Sequence, residues 1–309
     1  MKIVRAPLRV SLFGGGTDLE PYVSQHGSTI ISFAINRYIY LTHNDRPTGG
    51  CHLGYSQVEE LETLKDAQHT LVRETARTHG IDEPCTLTIV SDLPAGTGLG
   101  SSSALAVCLA HMIDPEPSDI IQRAHAIEAP HSKAGWQDYF PAAAGGFRSY
   151  YIEEGGRLKE HWEMMPDIYD IISRYGLLLY TGASRSADSV LGSWQKSEDQ
   201  LYEIKVLARA VDETIRCGCT PDKLAAYLNE GWQIKRRISG VTSPSLNRQY
   251  AVAMANGALG GKLCGAGAGG CWFFLVPPSS VARAKVKQAL GLREIPFKIS
   301  QKGVESWEL

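Results

Sequence analysis

Leu93 to Val107 read LPAGTGLGSSSALAV, with glycine at every second position of a loop that runs through three serines into an apolar helix. Thr86 to Val90 (TLTIV) has the β-branched pattern of a strand, and Ala104 to Met112 (ALAVCLAHM) has helical propensity, so the glycines join a strand end to a helix start. Gly96, Gly98 and Gly100 can adopt backbone conformations closed to other residues and let main-chain N–H groups approach a ligand. A helix starting near Ser101 adds unpaired N–H groups and the positive end of its dipole, which is an anion site. Ser101, Ser102 and Ser103 supply hydroxyls, one of which can reach a magnesium ion held by phosphates.

Other readings fit this loop less well. No lysine follows the last glycine, as GxxxxGK[ST] requires. GxGxxG fails at Ser101, and the acidic residue due about 20 positions later would be Asp114 or Glu116, in a proline-flanked turn. An NAD-dependent oxidoreductase therefore has little support. A merely flexible turn is the bland reading, disfavoured by the strand and helix that flank the glycines.

The 309 residues are enough for two domains at roughly 100–200 residues each. The pattern changes near 165–175, and the expected division is 1–170 and 171–309, two α+β lobes with a site between them. A formal net charge of −2 gives no electrostatic case for binding nucleic acid or an anionic membrane. The seven scattered cysteines make no disulfide framework, and neither a leader nor an apolar run of about 20 residues is visible, so a cytoplasmic location is expected.

Strands are predicted over Lys2–Phe13, Thr29–His43, Thr86–Val90, Gly145–Ile152, Tyr175–Thr181, Cys271–Val276 and Ile295–Ile299. Helices are predicted over Glu59–His79, Ser118–Ala129, Ala187–Cys217, Lys223–Ile234, Ser245–Asn256 and Ser280–Leu290.

Four further segments carry candidate chemistry. In Arg9–Leu19 (RVSLFGGGTDL) a strand ends on three glycines and presents Thr17 and Asp18, suited to gripping vicinal hydroxyls; a helix-capping role for Asp18 is equally compatible. In Ala134–Phe147 (AGWQDYFPAAAGGF), Asp138 lies among aromatic and small residues that can set a carboxylate up as a general base, and Glu128 lies ten residues upstream. One carboxylate can take a proton while the other holds a metal. Gly260–Gly270 (GGKLCGAGAGG) can lay backbone against a ligand or against the first glycine loop. Thr181–Arg185 (TGASR) places an arginine beyond a strand end, where it could hold a phosphate.

Taken in order, RVSLFGGGTDL, LPAGTGLGSSSAL and KLCGAGAGG resemble the three motifs of the GHMP kinases, and the likeness spans nearly the whole chain. FGGGTD, GWQDYFPAAAGGF and TGASR look most like the sugar-1-kinase branch that includes heptose 7-phosphate kinases, with fucokinases as relatives. The resemblance implies a two-lobed α+β fold with a left-handed βαβ crossover in the first lobe. It implies ATP bound by Pro94, Gly96, Gly98, Leu99, Gly100, Ser101, Ser102 and Ser103, with Ser102 and Glu128 as Mg²⁺ ligands. Asp138 would be catalytic and supported by Arg9, while Gly15, Gly16, Thr17, Asp18, Gly265, Gly267 and Arg185 would face the substrate. The implied substrate is a sugar phosphate phosphorylated at its anomeric hydroxyl; another sugar such as L-fucose, or a non-catalytic regulator, is the alternative. For a distal phosphate the basic candidates are Arg185, Lys133 and Arg148. The sequence departs from the branch at Tyr139 and Phe140, where Gln and an aromatic are expected, and it leaves a homodimer open.

Overall fold

A computed structural model describes all residues except 82, 116–119, 165, 184–193, 195 and 196. Its spine is a long antiparallel pair, β1 (Lys2–Phe13) and β2 (Ser28–Asp45), with register shifts at Pro7/Leu8 and Ser11/Phe13. From Ala6 onward every residue of β1 is buried, so both faces of this strand are covered. β2 is long enough to take two further partners, β5 (Cys85–Ser91) along its second half and β6 (Phe147–Ile152) along its first. β3 (Cys51–Gly54), β4 (Val58–Leu61), β7 (Leu158–Glu163) and β12 (Glu305–Glu308) complete an eight-stranded sheet. Its parallel pair, β3 and β5, is joined by a crossover through β4 and α2 (Thr70–His79).

The second sheet has the order β11-β8-β10-β9, built from β8 (Gly176–Tyr180), β9 (Gly260–Leu263), β10 (Cys271–Leu275) and β11 (Arg293–Glu294). Helices α6 (Pro166–Tyr175), α7 (Glu198–Arg216), α8 (Pro221–Lys235), α9 (Pro244–Ala255) and α10 (Ser280–Leu290) accompany it. The two sheets share one continuous apolar core, in which Phe33 of β2 meets Phe273 of β10 with ring centroids 5.8 Å apart. The final strand β12 returns to pair with β1, so the last residues of the chain belong to the first sheet.

Two expected elements differ. The helix predicted over Glu59–His79 starts only at Thr70, because Val58–Leu61 pairs with β3 and the buried Glu59 carboxylate accepts from Gln68 N (2.8 Å) and Tyr55 Oη (2.9 Å), pinning the chain ahead of the helix. The strand predicted over Ile295–Ile299 is reduced to a single bridge, Ile299 to Ile35, flanked by β11 and β12. The start of the helix predicted over Ala187–Cys217 lies outside the described residues. Among described residues no helix is long and apolar enough to cross a membrane.

α3 (Ser101–Ile113) is buried on all sides from Ser103 to His111 and packs against β1, β2, α4 (Ile120–Glu128) and α5 (Trp136–Ala144). Its N-terminus therefore opens where the sheet, the glycine loop and α5 meet.

Candidate active site

The glycine loop has the backbone its sequence predicts. Gly96, Gly98 and Gly100 hold φ of 77°, 73° and 76°, the left-handed region favoured by glycine. Gly100 caps α3 without any side chain closing the end, and the first turn carries no acidic residue, so the N–H groups there are left for an anion. A cavity of about 290 Å³ lies over this helix end, lined by Gly96, Gly98, Gly100, Ser101, Ser102 and Ser103 on one side and by Gly15, Gly16, Gln137 and Asp138 on the other.

Arg9 ties the two sides together. Its Nε and Nη2 donate to Asp138 Oδ1 at 2.7 and 2.5 Å, and its Nη1 donates to Gly98 O at 2.6 Å. The guanidinium is buried and the Asp138 side chain is 17% exposed, so the pair sits at the cavity wall with the arginine behind. Both of these bonds fall on Oδ1, so Arg9 does not engage Oδ2 of this cavity-lining residue.

Glu128, at the end of α4, is 1% exposed and its Oε2 has no hydrogen-bond partner. Burial pushes its pKa up, opposed by the hydroxyls of Ser102, Ser103 and Tyr139. A buried carboxylate oxygen without a donor, lining the same cavity as Ser102, fits a hard cation. Among described residues no group of three His, Cys, Asp or Glu side chains is placed to hold a metal ion.

The third glycine segment serves the first. A Cβ on Gly265 would stand 2.7 Å from Gly98 Cα, and one on Gly98 2.8 Å from Cys264 O, so the two loops touch backbone to backbone. Gly265 and Gly267 also line the cavity. Behind them, Lys235 Nζ donates to Leu263 O (2.8 Å) and Gly265 O (2.5 Å), and Lys262 Nζ to Leu12 O (2.7 Å). Desolvation lowers the Lys262 pKa to about 8, with Arg9 adding repulsion.

Several expected contacts lie elsewhere. Thr17 is fully buried, its hydroxyl held by Gly14 O (2.7 Å) and Ser28 Oγ (2.6 Å), so it braces the loop and does not line the cavity. Pro94 is exposed beyond the cavity wall, and the Leu99 side chain is in the core while its carbonyl accepts from Arg9 N at 3.0 Å. Asp18 is 1% exposed and engaged by two backbone N–H groups, Gly16 N to Oδ1 and Gln137 N to Oδ2, both at 2.8 Å. It borders a second cavity of about 200 Å³, with Glu20, His125 and Trp136, which shares Ser132, Lys133 and Ala134 with the first. Of the distal-phosphate candidates, Lys133 lines both cavities, Arg148 lies on β6 near Tyr169 and Glu163 away from either, and Arg185 lies outside the described residues. Trp194 was not anticipated. It covers Gly16, donates from Nε1 to Ala266 O at 3.2 Å, and has no local pattern to mark it.

Residues 63–146 match the GHMP kinases N terminal domain, and residues 219–291 the GHMP kinases C terminal domain. The chain belongs to the GHMP kinase family. A GHMP kinase transfers a phosphoryl group. Two curated relatives align over almost their full length. One is a D-glycero-alpha-D-manno-heptose 7-phosphate kinase of Campylobacter jejuni, 28% identical with all of both chains covered. The other is a mevalonate kinase of Thermococcus sibiricus, 24% identical over 98% of this chain and 97% of the relative. The crystal structure of a D-glycero-D-manno-heptose 1-phosphate kinase from Bacteriodes thetaiotaomicron superposes with a TM-score of 0.79 at 23% identity, covering 100% of this chain and 99% of that one. The two-lobed α+β architecture is thus that of the GHMP kinases.

Proposed function

We propose that this chain, a sugar kinase of the GHMP family, uses ATP to phosphorylate the anomeric hydroxyl of D-glycero-D-manno-heptose 7-phosphate, giving the 1,7-bisphosphate. The observation that carries the reading is Asp138, held by Arg9 through Oδ1 and lining a cavity whose other wall is the N-terminal end of α3, closed by no side chain. The full-length likeness to a heptose 7-phosphate kinase supports the acceptor.

Phosphoryl transfer asks a protein chiefly for positioning and for charge stabilisation. The N–H groups of the Gly96–Ser103 loop would cradle the triphosphate, the role the left-handed glycines and the open end of α3 suit. Ser102 and Glu128 would hold Mg²⁺, which when bound neutralises phosphate charge. Asp138 Oδ2 accepts the acceptor's hydroxyl proton as that oxygen bonds to the γ-phosphorus and the bond from phosphorus to the β–γ bridging oxygen breaks, releasing ADP. Arg9 holds Asp138 in place through Oδ1, and its bond to Gly98 O ties that carboxylate to the cradle.

The two heptose-kinase relatives are named for different substrates, a heptose 7-phosphate in one and a heptose 1-phosphate in the other. A coupled ADP-release assay with the 7-phosphate, the 1-phosphate, free heptose, L-fucose, galactose and mannose separates these cases. Turnover on the 7-phosphate at least tenfold above every other sugar is expected; a preference for the 1-phosphate or L-fucose would reassign the acceptor, and no ADP from any sugar would favour the non-catalytic reading.

A further inference from the structure

Asp18 is expected from its motif to grip the sugar, yet its surroundings are those of a helix cap. α5, the helix that bears Asp138, starts at Trp136 with Gly135 at the capping position and no side chain of its own to close the end. The first N–H groups of a helix have no intrahelical acceptor. Here the acceptor comes from 119 residues away: Asp18 Oδ2 takes the Gln137 N–H at 2.8 Å, while Oδ1 takes the Gly16 N–H at 2.8 Å. The carboxylate is closely enclosed, since a Cβ on Gly135 would stand 2.0 Å from Oδ2. Gly16 and Gln137 both line the phosphate-side cavity, but Asp18 does not.

We infer that Asp18 is a positioning residue, which caps α5 from the glycine loop and so fixes where Asp138 stands relative to the phosphates. The carboxylate is matched to two N–H donors, and an amide in its place can accept only one while turning its own N–H₂ toward the other. Asp138 is the next residue after the capped one, so loosening the first turn of α5 moves the catalytic carboxylate directly. A displacement of about 1 Å at such a group costs up to about 10²-fold in rate. The inference rests on Asp138 being the acceptor-facing carboxylate, and its test includes a reading independent of turnover.

That test compares the wild type with Asp18→Asn, following amide hydrogen exchange by NMR, binding of a fluorescent ADP analogue, and steady-state kinetics with ATP and D-glycero-D-manno-heptose 7-phosphate. Expected are a protected Gln137 amide in the wild type, faster exchange there in the variant, unchanged nucleotide affinity, and a kcat lower by about 10–100-fold with the acceptor KM within about twofold. Gly135→Ala, which displaces the carboxylate without removing it, should reproduce the pattern if Asp18→Asn folds poorly. An unprotected Gln137 amide in the wild type, or a raised acceptor KM with kcat preserved, overturns the inference, the latter assigning Asp18 to the sugar. Should the heptose not be turned over, the exchange arm still decides the cap while the acceptor assignment alone fails.

Discussion

In the proposed reaction the ion pair of Asp138 and Arg9 serves to orient a carboxylate and is not a stability device. A buried charge pair contributes little net stability, because desolvation offsets attraction. What the pair supplies is direction: two guanidinium donors on one carboxylate oxygen leave the other outside the ion pair. Replacing Asp138 by Asn keeps the shape and removes the proton acceptor. Turnover should fall by about 10²–10⁴-fold while ADP affinity, measured by calorimetry, stays within about twofold; near-normal turnover would remove Asp138 from the reaction. At this scale the sequence was informative where chemistry is local. Asp138, Glu128 and the serines, singled out by residue type and motif order, line one cavity in the structure. Thr17 and Asp18 were misleading, since their partners Ser28 and Gln137 are brought in by the fold and leave no mark in the motif itself.

Among the elements, the Gly96–Ser103 loop and α3 could be read from sequence because a strand, alternating glycines and an apolar helix follow one another without interruption. The third glycine segment left two uses open, ligand or first loop, and the structure shows contact with the first loop while Gly265 and Gly267 also reach the cavity. Its dependence on glycine can be tested. Gly265 has φ of 63°, and a Cβ there would press on Gly98 at 2.7 Å. Gly265→Ala should therefore displace the phosphate cradle and weaken ATP binding by about tenfold or more in an equilibrium titration, with α-helical circular dichroism retained. Unchanged ATP affinity would mean the two loops are independent. The short β4 and the late start of α2 were hidden because Glu59 takes its donors, Gln68 N and Tyr55 Oη, in a buried setting that helical periodicity does not register.

Across the whole molecule, the sequence changes pattern near 165–175, while the return of β12 to the first sheet leaves no mark in it, since pairing of Lys2–Arg5 with Glu305–Glu308 joins the two ends of the chain. Lys262 is another such link, carried on β9 of the second sheet and bound to Leu12 O of the first. Its amine has a folded pKa of about 8 against an ordinary 10.5, so between those values the unfolded chain binds more protons and stability rises with pH. Below pH 8 the gain is absent. Urea denaturation of wild type and Lys262→Met from pH 7 to 10.5 should show a rise, of the order of 3 kcal/mol at most, present in the wild type and missing from the variant. Parallel pH profiles would mean that Lys262 is not buried as a strained cation.

The kinase assignment follows from family and fold, and the acceptor assignment is the claim most open to direct test. ³¹P NMR of the products formed from ATP and D-glycero-D-manno-heptose 7-phosphate should show ADP together with a new sugar phosphate resonance coupled to the anomeric proton, the C7 phosphate being retained. ADP with the new phosphate on any other carbon, or ADP and inorganic phosphate alone, would contradict the account.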